Sequence, residues 1–366
     1  MQKRISAALF ILVTATVLLH NGCSTDIDLT APHKVTPVIT GVLDPDADTQ
    51  FVRINRTYLA DSDINTYAGV KDSVEYPIGD VRAWLYKVNQ SLVTVDSIEL
   101  TPIELPSRNP GVFYDTNVLF YHTTEPLFTA NELNNITNFT YELRAEIQGQ
   151  TYTARTDFPQ MRTNTIVVPT LGPNPNKLEF ARLGPGVSFP LPVTVTYRYN
   201  LIPNGVRYQG DVVLVYDEVL SDGTVRENLE LPFRAGNFEG EQGDGSSGTQ
   251  EFNFNALPWF TFVGNHFNEV ENLQQVRIHH LAFRLSAANR ELNTYISVTN
   301  PISSFVPVFT VYSNFDNDAI GVLGSKRTLD RIAWLTEASL NYLNNSEVSG
   351  DNSYCVYFSS AGYACN

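Results

Sequence analysis

Short apolar runs and strict alternation dominate the early part of this chain, and both patterns predict strands. Val38 to Leu43 is a short, mostly β-branched run, and Phe51 to Tyr58 alternates apolar and polar, the period of a half-buried strand. The same style recurs at Val81 to Tyr86, Leu92 to Leu100, Val112 to Tyr121, Phe139 to Ile147 and Thr151 to Thr156. Asp44 to Asp48 interrupts the first two strands with turn-forming residues. Thr129 followed by Glu132 fits a capping box and predicts a helix of two turns. Seven short strands at this spacing predict an immunoglobulin-like or transthyretin-like β-sandwich over residues 36–162.

Phe158-Pro159 and Thr163 to Thr165 read as a boundary, after which residues 163–366 form a second β-rich domain with a few short helices. Strands are predicted at Ser188 to Tyr199, Val212 to Val219, Thr249 to Phe254 and Val276 to Leu285. Ser221 to Thr224 reads as a hairpin turn, and residues 236–249, rich in Gly, Glu, Asp and Ser, as an exposed loop. Helical spacing predicts one helix capped by Ser286, with Ala288, Leu292, Tyr295 and Ile296 on one face. It predicts another from Leu329 to Leu343, with Ile332, Ala333, Thr336 and Leu340 on its stripe. The fold expected is therefore mostly β, a sandwich followed by a second β-rich domain.

The first residues carry a different pattern. Lys3 and Arg4 precede an uncharged apolar run from Ile5 to Leu19, and then come His20, Asn21, Gly22 and Cys23. A basic start, an apolar stretch and a small residue before the cut describe an export signal. The run is fifteen residues long, short of the roughly 20 that a spanning helix needs. Gly22-Cys23 resembles the lipobox of bacterial lipoproteins, although His20 stands where that motif has an aliphatic residue. Residues 1–22 then form a signal peptide, Cys23 becomes the lipidated first residue, and 23–35 is a tether. Acyl chains on that sulfur would anchor the chain, each buried methylene contributing about 0.8 kcal/mol. The alternative is a secreted chain cut nearby. Ser24 to Asp28, acidic behind the cysteine, resembles the surface-export signal of Bacteroidota lipoproteins.

Composition narrows the partners. The 366 residues carry a formal net charge of −15, which disfavours nucleic acid and anionic headgroups. Charged residues are 17% of the chain while Tyr and Phe number 18 and 21, a palette of strand formers. Of three cysteines, Cys355 and Cys365 remain after Cys23, and in an exported chain they suggest a disulfide. Closing that loop would stabilise by about 3 kcal/mol. Metal binding by this pair is the rival reading.

The lipobox, a strand ending in Gly41, Phe51 to Thr57, Pro307 to Asn314 and Gly321 to Gly324 together resemble a family of Bacteroidota lipoproteins that carry a domain of unknown function. Genes of that family often lie beside TonB-dependent outer-membrane receptors. Asp318-Ala319-Ile320 departs from the family, which tends to have glycines there. The resemblance implies an outer-membrane, surface-exposed lipoprotein that acts as a non-enzymatic accessory or ligand-capturing partner of a TonB-dependent transporter. An adhesin or surface-assembly subunit is the alternative, and a surface hydrolase is a further one. The resemblance implies no cofactor and no catalytic residues.

Among residues that could carry chemistry, Gly243 to Gly248 has dinucleotide-binding spacing but lacks the strand before it and the helix after it. Asp44, Asp46 and Asp48 alternate, as do Asn314, Asp316 and Asp318, and such oxygens could meet calcium. Acidic turns between strands are the plainer reading of both. His279 and His280 are adjacent, so a strand would point them to opposite faces. Trp259, Phe260 and Phe262 follow Pro258 in what reads as a loop, where aromatic rings could contact a ligand. Packing into a core is the competing reading.

Overall fold

A computed structural model describes residues 35–58, 64–106, 114, 117–169, 177–240, 248–299, 311–344 and 355–358. The protein is mostly β. Its first seven strands are β1 (Pro37–Leu43), β2 (Gln50–Arg56), β3 (Val81–Asn89), β4 (Thr94–Leu105), β5 (Val118–Thr123), β6 (Phe139–Ile147) and β7 (Gln150–Thr156). The short strands β8 (Ile166–Val168), β9 (Lys177–Leu178), β10 (Ala181–Arg182) and β11 (Leu191–Pro192) follow. Then come β12 (Thr194–Asn200), β13 (Arg207–Leu220), β14 (Val225–Glu239), β15 (Thr249–Asn255), β16 (Leu273–Ala288), β17 (Ile320–Leu335) and β18 (Cys355–Phe358).

Most of these strands join one sheet in the order β14-β13-β16-β17-β1-β2-β5-β4-β3-β6-β7. β4 serves two neighbours: its first half pairs with β3 and its last five residues pair with β5. The first seven strands are thus linked along one path, and this order does not establish the immunoglobulin-like or transthyretin-like arrangement expected. A smaller sheet, β15-β12-β8, lies apart from that path.

β17 is the hinge of the architecture. Its first residues run parallel to β1, with Ile39 opposite Gly321 and Val42 opposite Gly324. Its later residues run antiparallel to β16, from Lys326 opposite Ala288 to Ala333 opposite Leu281. Two cores meet along it, Leu323 entering one and Ala333 and Leu335 the other. One gathers Ile39 to Phe158 and takes Phe315, Ala319 and Leu323 from the later chain. The other runs from Met161 to Val356.

Glycine permits two close approaches. A Cβ on Gly321, whose φ is +125°, would run into the Ile39 carbonyl oxygen. Gly210 and Gly236, opposed across β13 and β14, leave room for the Phe252 ring of β15.

The helices correct the expectations in three places. Ala256–Glu269 is a helix, not a loop, capped by the Asn255 side chain, which accepts from the Leu257 N–H. Residues 286–288 still belong to β16, and the next helix is Arg290–Thr299. The stretch expected as a helix from Leu329 is strand as far as Leu335, and only Glu337–Leu343 is helical. The glycine-bounded segment 321–324 lies in the first, turn-free residues of that strand. The capping box at Thr129 and Glu132 is present, on a helix of one turn, Ala130–Leu133.

Candidate functional site

The aromatic trio divides. The buried residues of the helix Ala256–Glu269 are Ala256, Trp259, Phe260, Val263, Gly264 and Phe267, a stripe at helical spacing. Trp259 and Phe260 are fully buried, and Trp259 meets the Phe180 ring edge-on at 4.7 Å. They are core residues, which corrects the reading of them as ligand contacts. Phe262 is 37% exposed, with the Phe233 ring 5.7 Å away.

Asp44, Asp46, Asn314 and Asp316 of the acidic turns have protein partners. Arg327 donates to both Asp46 oxygens at 2.8 and 2.9 Å, and Lys326 stands 3.9 Å from Asp44. Asp316 accepts the Thr153 N–H and hydroxyl at 2.6 Å each. Asn314 accepts from the Leu323 N–H and donates to the Leu323 carbonyl, and it also donates to the Arg155 carbonyl. This segment ties the edge of β7 to β17. Among the described residues no cluster of three or more His, Cys, Asp or Glu side chains could hold a metal ion.

His279 Nε2 lies 2.8 Å from Asp217. Burial, with the neighbouring His279, pushes the His280 imidazole below its usual value. Cys355 is disulfide-bonded. Cys23, Cys365, Gly243 to Ser247 and Pro307 to Thr310 lie outside the described residues.

One surface groove among the described residues was not legible in the sequence. A groove of about 720 Å³ lies on the face of β14-β13-β16-β17. Its lining is Gln209 and Asp211 of β13, Pro232 and Arg234 of β14, Arg284 and Ser286 of β16, and Lys326, Thr328 and Asp330 of β17. Register explains the set, because residues directly opposed on neighbouring strands share a face. Arg234, Asp211, Arg284 and Asp330 are opposed in turn across all four strands, so charge alternates along one row. Gln209, Ser286 and Thr328 form the next row, with the Ser286 and Thr328 hydroxyls 3.1 Å apart. Pro232, Val213, Ala282 and Ile332 form the row on the other side.

The charged row is held by short bonds. Arg234 Nε donates to Asp211 Oδ1 at 2.5 Å, and Gln209 Nε2 donates to Asp211 Oδ2 at 2.6 Å. Arg284 grips Asp330 through Nε and Nη2 and Glu230 through Nη1 and Nη2, at 2.8 to 3.3 Å. Those two carboxylates, Asp330 first, push the Arg284 guanidinium further up, and Arg284 in turn holds Glu230 below the usual carboxylate range. Bidentate pairs of this kind fix side-chain geometry as well as contributing energy. The groove therefore presents oriented polar groups on strands, the least mobile support available.

No protein family profile matches the sequence, and a search among curated proteins finds no relative. Among the described residues no helix is long and apolar enough to cross a membrane.

Proposed function

We propose that this protein is an outer-membrane lipoprotein, held by acyl chains on Cys23 and facing the cell exterior. Its role is to capture a ligand, without chemistry, for a TonB-dependent transporter. The groove on the β14-β13-β16-β17 face is the observation that carries the capturing role. It is preformed, polar and mounted on strands, and Glu230, beside Arg284, is held as an anion. A general acid needs a carboxyl poised near the working pH, and Glu230 is shifted the other way. The export signal and Gly22-Cys23 support the address. The family resemblance supports the transporter as partner.

Two experiments test this reading. Palmitate labelling is expected in the natural chain and lost in Cys23→Ser. A pull-down from detergent-solubilised membranes is expected to bring a β-barrel receptor with it. Recovery of pilus or adhesion subunits in place of a barrel would favour the surface-assembly reading.

A further inference from the structure

We infer that the groove takes an oxyanion, a carboxylate or phosphate group carried by the ligand, and that Lys326 and Arg234 are its principal donors. The inference rests on reading this face as the capturing surface, and it does not depend on the lipid anchor.

Both oxygens of Asp211 are occupied, one by Arg234 Nε and one by Gln209 Nε2. Both oxygens of Asp330 accept from Arg284, as do both oxygens of the adjacent Glu230. Both carboxylates of the lining are thus engaged and their charge is offset by guanidinium groups. Arg284 and Gln209 spend their donors on these carboxylates, but Lys326 and Arg234 keep donors in reserve. Lys326 Nζ has its nearest carboxylate at 3.9 Å, an ion pair too long for a hydrogen bond, and the side chain is 49% exposed. Arg234 commits Nε to Asp211 and Nη1 to Asn237 at a long 3.4 Å, while Nη2 has no hydrogen-bond partner among the described residues. The Ser286 and Thr328 hydroxyls lie in the row between these two cations. Two cationic side chains with donors to spare select an acceptor-bearing ligand.

Net charge does not by itself attract an anion here, since Glu230 beside Arg284 brings the local cations and carboxylates into balance. Three cations and two carboxylates line the groove, in a chain whose formal net charge is −15. The surrounding acidity repels anions at long range, so the local donors must supply recognition at contact. Lys326 and Arg234 come from β17 and β14, three strand spacings apart, and their rows lie four residues apart along the strands, so their backbones are separated diagonally by roughly 20 Å. A ligand with a single small anion engages Lys326, whose side chain makes no hydrogen bond among the described residues, whereas an extended ligand with anionic groups at both ends engages Arg234 as well.

The test is calorimetric titration of the purified full chain with inorganic phosphate and, separately, with succinate. Saturable binding of either is expected, and which of them binds identifies the oxyanion. Lys326→Gln is expected to weaken it at least about tenfold, the contribution of one charge-assisted hydrogen bond. Lys326→Arg is expected to restore it, and Arg182→Gln, outside the groove, to leave it unchanged. Melting curves of each variant separate lost binding from lost fold. No saturable heat with either probe overturns the inference, and so does equal affinity in Lys326→Gln. Running the titration on Cys23→Ser keeps the two claims distinct, since loss of membrane anchoring leaves the groove intact.

Discussion

One buried asparagine does much of the joining in this molecule. Asn289 is fully buried between β16 and the helix Arg290–Thr299. Its Oδ1 accepts the Leu292 and Ser325 N–H groups, and the two hydrogens of its Nδ2 are shared among acceptors on Thr156, Asp157 and Glu291 at 2.6 to 3.2 Å. Removing that amide leaves several buried groups unpaired, so Asn289→Ala is expected to cost about 3 kcal/mol, read from urea unfolding. Around it, burial raises the carboxyls of Asp157 and Glu291 above their ordinary values. A carboxyl raised in the folded state binds more protons there than in the unfolded chain, so stability falls as pH rises from the ordinary carboxylate value through the raised one. Asp157→Asn removes one such group. Its melting temperature is expected to match or exceed that of the natural protein at neutral pH, and the difference to shrink toward the acid end of that window.

The helix Ala256–Glu269 shows how an element can hide. Pro258 and a run of aromatics suggest a loop, yet proline is tolerated in a first turn, where the N–H has no intrahelical partner. The stripe at 256, 259, 260, 263, 264 and 267 carries the helical period in the sequence itself. Trp259→Ala is expected to cost about 3–5 kcal/mol in urea unfolding, whereas the partly exposed Phe262→Ala should cost far less. β17 misleads in the opposite sense. Its inward positions include Arg327 and Arg331, so alternation is broken where a core strand should be apolar. Leu329, Ile332 and Ala333 then imitate a helical stripe. Tertiary partners make those arginines tolerable: Arg327 pairs with Asp46, and Arg331 Nη2 donates to the carbonyls of Thr163 and Ile166. All these partners lie far away in sequence.

For the molecule as a whole, β17 makes residues 36–162 depend on the later chain. It shields β1 on one side and brings Leu323 into the first core, which Phe315 and Ala319 also enter. A fragment of residues 36–162 alone is therefore expected to lack fixed tertiary structure, seen as lost near-ultraviolet dichroism and rapid proteolysis. Gly321→Ala attacks the same junction from within, because its methyl would meet the Ile39 carbonyl. It is expected to destabilise by about 3 kcal/mol or more, measured by thermal unfolding.

Local pattern alone determined the β character, most strand positions in the first half and the capping box at Thr129, because strand period and capping chemistry involve only near neighbours. The tertiary structure decided the pairing of β1 with β17, the burial of Trp259 and Phe260, and the groove. Arg234, Asp211, Arg284 and Asp330 look ordinary along the chain, scattered over four separate segments. Only the register of four strands sets them side by side, and register is a property of paired backbones that no single segment carries.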